Sequence, residues 1–200
     1  MSSIKVIVLV LVLSTSIFAS KKPYVEGIVF NKIVKKYKKF AKKRFIKLQK
    51  ILDKSQNFTD IEKLKIVNDF YNKVSYSSDQ KVYNQSDYWA TPNEFLGKDK
   101  GDCEDYVIAK YFALQYAGVD TKKLFFSYVK SERYKATHMV LTYFKTSHSE
   151  PLVLDNLNRK IFLASKRKDL TPIYNFNPLS LKKSHKKWDQ LRYHMKIGKI

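Results

Sequence analysis

Three side chains in this sequence could carry covalent chemistry together. They are the single cysteine, Cys103; His138, which opens the run His138-Met139-Val140-Leu141; and Asp155, which closes Leu152-Val153-Leu154-Asp155. A thiolate attacks carbonyl carbon, an imidazole takes and returns the proton, and a carboxylate fixes the imidazole's tautomer. Asp102 stands as the N-cap of an apolar helical run, and Asp105, three residues on, can complete a capping box. Cys103 then occupies the first helical position, where free N–H groups and the helix dipole favour a negative charge and lower a thiol pKa. The flanking carboxylates oppose that effect, so a positive group must lie close by, and a histidinium is the usual one.

The placement of His138 against Asp155 follows from hairpin parity. The strands His138–Phe144 and Pro151–Asp155 are joined by the polar turn Lys145–Glu150. If Phe144 pairs with Pro151, His138 faces Leu157 and Asp155 is its diagonal neighbour on the same face. If Phe144 pairs with Ser149, His138 faces Asp155 directly. Both registers bring the two together, and a one-residue slip separates them. Taken singly, each residue has an ordinary reading: a small buried hydrophobe, a satisfied strand histidine, a helix cap. Their combination favours catalysis.

The elements that must position these residues are also legible. Ile33, Val34, Tyr37, Phe40, Ala41, Phe45, Leu48, Ile51 and Leu52 recur at helical spacing among lysines, giving one long amphipathic helix with a basic outer face. Thr59-Asp60-Ile61-Glu62 is a capping box, followed by a helical stripe of Ile61, Leu64, Val67, Phe70, Tyr71 and Val74. Ser75–Tyr88 reads as a loop. Thr91-Pro92-Asn93-Glu94 opens a short helix through Leu96, and the helix from Cys103 closes at Gly118. Then the period changes to strands at Leu124–Lys130, His138–Phe144, Pro151–Asp155 and Ile161–Ala164. The fold class is therefore α+β, N-terminal helices followed by an antiparallel sheet. Pro172–Ile200 carries few periodic apolar residues and reads as a wrapping or partly mobile tail, and the expected organisation is a 21–178 domain and a basic 179–200 tail.

Length and composition bound the rest. Two hundred residues at 44% apolar content bury a real core. The five glycines form neither a dinucleotide fingerprint nor a P-loop, and one cysteine excludes an internal disulfide and a thiolate zinc site. The net charge of +21 is uneven. Residues 21–50 hold 12 Lys/Arg against one acid, and 159–200 hold 12 against two, while 51–158 is nearly neutral. Such flanks attract nucleic acid, anionic lipid or an acidic protein. Residues 1–20 read as a secretory signal, with Lys5 before the apolar Val6–Leu13 and small residues at Ser14-Thr15-Ser16 and Ala19-Ser20. The alternative is a buried N-terminal element.

Four stretches carry a resemblance: Trp89 to Leu96, Gly101-Asp102-Cys103-Glu104-Asp105-Tyr106 running to Tyr111, His138-Met139-Val140-Leu141, and Pro151 to Leu157. They resemble the bacterial transglutaminase-like cysteine proteinases over about residues 60–178, including Ala164 to Leu170 and Pro172. The resemblance implies a papain-like core, a Cys103–His138–Asp155 triad and peptide-bond hydrolysis in the periplasm. It implies a Ca²⁺ site on Asp102, Glu104 and Asp105, and carboxylates at that density suit a hard cation. It also implies a large adhesin as substrate, cut after small residues in an Ala-Ala-type sequence, with attachment and biofilm release under control of an inner-membrane cyclic di-GMP receptor that sequesters the enzyme. The basic helix and tail depart from the family pattern. The Cys103 N–H is one oxyanion donor, and Trp89 or Tyr88 is the candidate second. Two other readings stay open: an amidase or acyl transferase on another amide, and a non-catalytic basic module binding anionic lipid or nucleic acid, the export signal arguing against nucleic acid.

Overall fold

The computed structural model describes residues 22–180 and 185–200, so the expected signal at 1–20 lies outside the described residues. The chain is helical first. Helix α1 spans Gly27–Lys54 and buries Ile33, Ala41, Phe45, Leu48 and Leu52. Its phase breaks at Lys38, which has φ 64° and ψ −159°. The break rotates Phe40 out of the stripe where uninterrupted periodicity would place it, and its ring is 72% exposed. Helix α2, Asp60–Tyr71, starts on the expected reciprocal box between Thr59 and Glu62 and buries Leu64, Val67, Phe70 and Tyr71, while Ile61 faces solvent.

The segment 75–88, expected as a loop, is partly ordered into strand β1 (Ser75–Tyr76) and helix α3 (Asp79–Tyr83). Helix α4, Pro92–Lys98, carries the expected Thr91–Glu94 capping box with Pro at its start. Strand β2, Lys100–Gly101, pairs in parallel with β1 and leads directly into α5, Cys103–Tyr116. Helix α5 ends in a Schellman motif. Val119 N–H donates to the Leu114 carbonyl and Gly118 N–H to that of Gln115. Gly118 sits at φ +87°, where a Cβ would be strained.

The sheet follows, antiparallel in the order β6-β5-β4-β3-β7. Its strands are β3 Leu124–Ser131, β4 Ala136–Tyr143, β5 Leu152–Leu154, β6 Phe162–Leu163 and β7 Leu170–Phe176. Phe126, Met139, Leu141 and Leu154 point into the main core with Val107, Ile108, Tyr111 and Leu114 of α5. The opposite face carries a smaller cluster of Val129, Val140 and Val153.

Of the two readings of the stretch from Pro172, the described residues show the wrapping one. It completes β7, and a proline is compatible with that strand because β7 lies at the sheet edge. The ladder to β3 shifts by one residue at Pro172–Tyr174. Beyond it, helix α6 (Lys186–Lys196) inserts Trp188 and Leu191 into the core, with Trp188 stacked on Phe112 at 5.8 Å between ring centroids.

Candidate active site

Parallel pairing of β2 with β1 aims the chain so that α5 begins beneath β4. Cys103 is the first residue of α5, as its sequence position predicts. Asp102 is the N-cap but makes no side-chain cap bond, and the expected Asp102–Asp105 box is absent. Asp105 instead reaches across to accept the Ala90 N–H at 2.9 Å. The Cys103 thiol donates to Glu104 Oε2 at 2.9 Å. Burial pushes the thiol pKa well up, and the charges of Glu104 and then Asp102 push the same way. The Met139 N–H, hydrogen-bonded to the sulfur, opposes them without winning. Burial first, and the carboxylates after it, thus override the helix-start advantage.

The Met139 contact puts Cys103 against the backbone of β4, one residue beyond His138. The β4–β5 ladder pairs Tyr143 with Leu152 and Leu141 with Leu154, which continues to Phe144 opposite Pro151. This is the first of the two anticipated registers. Past the end of β5 the imidazole and carboxylate meet, with His138 Nε2 2.8 Å from Asp155 Oδ1. Both are buried. Nε2 being engaged, Nδ1 is the nitrogen left for a thiol.

Asp155 is held from every side. Its Oδ1 also accepts the Leu157 N–H at 3.0 Å, its Oδ2 accepts Arg167 Nη2 at 2.7 Å, and its carbonyl accepts Asn72 Nδ2 at 2.7 Å. Arg167 is fixed in turn by Asp169, through Nε at 2.8 Å and Nη2 at 2.7 Å. Burial pushes the Asp155 carboxyl up, but these donors and the His138 and Arg167 contacts outweigh it and hold the carboxyl down at about 2. Lys110, buried on α5, is lowered to about 7 by desolvation, with the Asp155 charge opposing. Arg167 and Asn72 carry no sequence signal as site residues, because only tertiary contact relates them to Asp155.

A second cluster adjoins the cysteine. One carboxylate oxygen each from Asp79, Asp102 and Asp105 lies within 4.8 Å of the others. Asp79 Oδ1, Asp102 Oδ1 and Asp105 Oδ2 are buried without a hydrogen-bond partner, and no ion pair among the described residues neutralises them. Burial pushes all three carboxyls up, Asp102 to about 10, with Glu104 and the other two acids adding to it. Three orphaned oxygens converging on one point fit a hard cation. Asp102 and Asp105 were legible as ligand candidates; Asp79, at the start of α3, was not. Glu104, expected beside them, sends its carboxylate to the thiol instead. Gly101 lets the cluster form, because a Cβ there would come within 2.3 Å of Asp105 Oδ2 and 2.6 Å of the Phe95 ring.

Of the two oxyanion candidates, Tyr88 has its backbone N–H committed to Asp79 Oδ2 at 2.6 Å. Trp89 is buried, with its ring against His185 and Phe126 and its indole N–H without an acceptor among the described residues.

Comparison with known proteins places the family and the fold. The family model of the bacterial transglutaminase-like cysteine proteinases matches residues 28–195. A search of curated proteins gave no match. Among solved structures, Legionella pneumophila LapG in its calcium-bound form is 36% identical, with a TM-score of 0.74, covering 83% of this chain and 97% of that one. The same protein treated with EGTA is 36% identical at TM-score 0.74, covering 86% and 99%. The match spans the helices, the sheet and the cysteine-bearing motif alike, and this chain belongs to the bacterial transglutaminase-like cysteine proteinases.

Proposed function

We propose that this cysteine protease is a calcium-dependent endopeptidase of the periplasm that cuts a large cell-surface adhesin near its N-terminus and so controls release from surfaces and biofilms. The observation that carries the chemistry is the buried His138–Asp155 pair at 2.8 Å, with His138 on β4 and Asp155 just past β5, while the sulfur of Cys103 accepts the N–H of Met139, the next residue of β4. The sequestering inner-membrane cyclic di-GMP receptor and the adhesin come from the family likeness.

In this reading Cys103, His138 and Asp155 are the triad. His138 Nδ1 takes the thiol proton as Sγ adds to the scissile carbonyl carbon. Asp155, ionised down to about pH 2, holds the other nitrogen and stabilises the imidazolium. The Cys103 N–H and the unspent Trp89 indole N–H are the donors for the developing oxyanion. The imidazolium returns its proton to the leaving amine, giving a thioester. Water, deprotonated by His138, then releases the acid and restores the thiol. Asp79, Asp102 and Asp105 would hold the calcium ion, with Glu104 at the thiol's side. A cation there would supply the positive charge that offsets the carboxylates around Cys103.

The test is cleavage of an N-terminal adhesin fragment bearing an Ala-Ala pair by the purified protein. Cleavage should be lost in Cys103→Ala and in His138→Ala, both still folded. Wild-type cleavage by Cys103→Ala would end the reading. Transfer of the acyl group to an added amine in preference to water would replace hydrolysis by acyl transfer.

A further inference from the structure

The two basic flanks of the sequence lie far apart in the chain, yet the fold brings them together. Lys36 on α1 hydrogen-bonds the carbonyl of Ile200, and Gly198 lies against Val29. One cleft is lined by Tyr24 and Val29 from the N-terminal side and by Met195 and Lys196 from α6. The basic surface therefore draws on both runs, which meet where the end of the second packs on the N-terminal half of α1.

Its main part is the outer face of α1. After the break at Lys38, the buried residues Ala41, Phe45, Leu48 and Leu52 define the inward direction. At 3.6 residues per turn, Lys39, Lys43, Lys47 and Lys50 then point away from the core, and all are exposed. None forms an ion pair among the described residues; the one ion pair of α1 is Arg44 with Asp99, on its inner flank. Phe40 and Ile46 stand exposed on either side of this lysine row. On the adjoining helix, Tyr193 is 61% exposed beside Arg192, and Ile197 is 54% exposed beside Lys196.

We propose that this surface is a docking site for an anionic lipid bilayer. Charge alone would suit any polyanion. The exposed phenylalanine and isoleucine among the lysines distinguish lipid, because an apolar side chain gains by entering the acyl boundary while the ammonium groups stay at the headgroups. Lys39, Lys43, Lys47 and Lys50 share the outward face of the segment after the break, so they can meet one surface together. Cys103 lies on α5, a different helix from the one that carries this lysine row.

Sedimentation of the protein with vesicles tests this. Vesicles of phosphatidylcholine alone are compared with vesicles containing three parts in ten phosphatidylglycerol, at low and at 0.5 M salt. The neutral vesicles give the contribution of any apolar segment outside α1. Binding should require phosphatidylglycerol and weaken in high salt. Lys39→Gln with Lys43→Gln and Lys47→Gln should lower the partition coefficient about a hundredfold, on the basis of about fivefold for each lysine near an anionic surface. Phe40→Ser, at an exposed position, should weaken the salt-resistant part and leave the melting temperature unchanged. Equal binding to both vesicle types, or a triple variant that binds like the parent, would overturn the proposal. So would binding of duplex DNA without binding to phosphatidylglycerol vesicles. Because Cys103→Ala should bind vesicles like the parent, the outcome is independent of the protease reading.

Discussion

At the residue scale the decisive feature is how Asp155 divides its two oxygens. One serves His138 and the Leu157 N–H, the other serves Arg167. A carboxylate so held cannot turn away from the imidazole. Asp155→Asn should therefore lower kcat by about 10⁴-fold through the wrong tautomer, with the fold retained. Arg167 is a positioning residue in this scheme. Arg167→Met removes one partner of a buried pair, so it should destabilise by about 3 kcal/mol. It should also let the Asp155 pKa rise from about 2 toward the ordinary carboxylate range, and the acidic limb of the kcat/KM profile should move up with it. Arg167→Lys should restore part of that shift. Since the native Asp155 carboxyl is depressed, its stabilisation is complete above about pH 4 and is lost as the pH falls through about 2. An unmoved acidic limb in Arg167→Met would show that Arg167 only supports the fold.

At the element scale, short local devices aim the chemistry. The Thr91–Glu94 box starts α4 immediately after Ala90, whose N–H holds Asp105. Thr91→Ala should cost about 1 kcal/mol, read from chemical denaturation. Gly101 is the joint between β2 and the start of α5. Gly101→Ala would drive a methyl group into the Asp105 carboxylate and the Phe95 ring. It should weaken calcium binding in calorimetry and reduce activity more than it lowers the melting temperature. A Gly101→Ala protein with parental calcium affinity would detach Asp105 from the metal site.

At the scale of the whole molecule, the uncompensated carboxylates tie metal, pH and stability together. Their pKa values are raised in the metal-free fold, Asp102 to about 10, so the folded state holds more protons than the unfolded chain above about pH 4. Stability without metal should then fall as the pH rises from about 4 toward 10. Calcium bound at the cluster would replace those protons, so the rise in melting temperature on adding Ca²⁺ should grow from pH 6 to pH 8. Chelation should suppress cleavage. Identical melts in EGTA and in millimolar Ca²⁺ at both pH values would mean the cluster binds no calcium. The core depends on its last element as well, since Trp188 packs on Tyr111, Phe112 and Phe126. Trp188→Ala should cost about 3–5 kcal/mol in denaturant unfolding.

Features governed by short-range rules were legible in the sequence. Capping boxes need residues three apart, so Thr59–Glu62 and Thr91–Glu94 could be read directly, as could Gly118 at the end of α5. Strand parity placed His138 and Asp155 on one face because side chains alternate strictly, although choosing between two registers required the ladder itself. Features that depend on partners distant in the chain were not legible. Asp79 joins Asp102 and Asp105 only because β1 pairs with β2 and brings the start of α3 alongside. Arg167 reaches back to Asp155 only after the chain has added β6 and a short 3-10 turn. Strand β7 contains a proline and α6 has a sparse apolar stripe, so neither announces itself, and each is held by the surface it covers. Even the sign of the thiol's pKa shift was decided by tertiary structure. The helix start favours the thiolate, but burial and the inward-turned acids outweigh it, because charges in a dry interior act more strongly than the field of one helix turn.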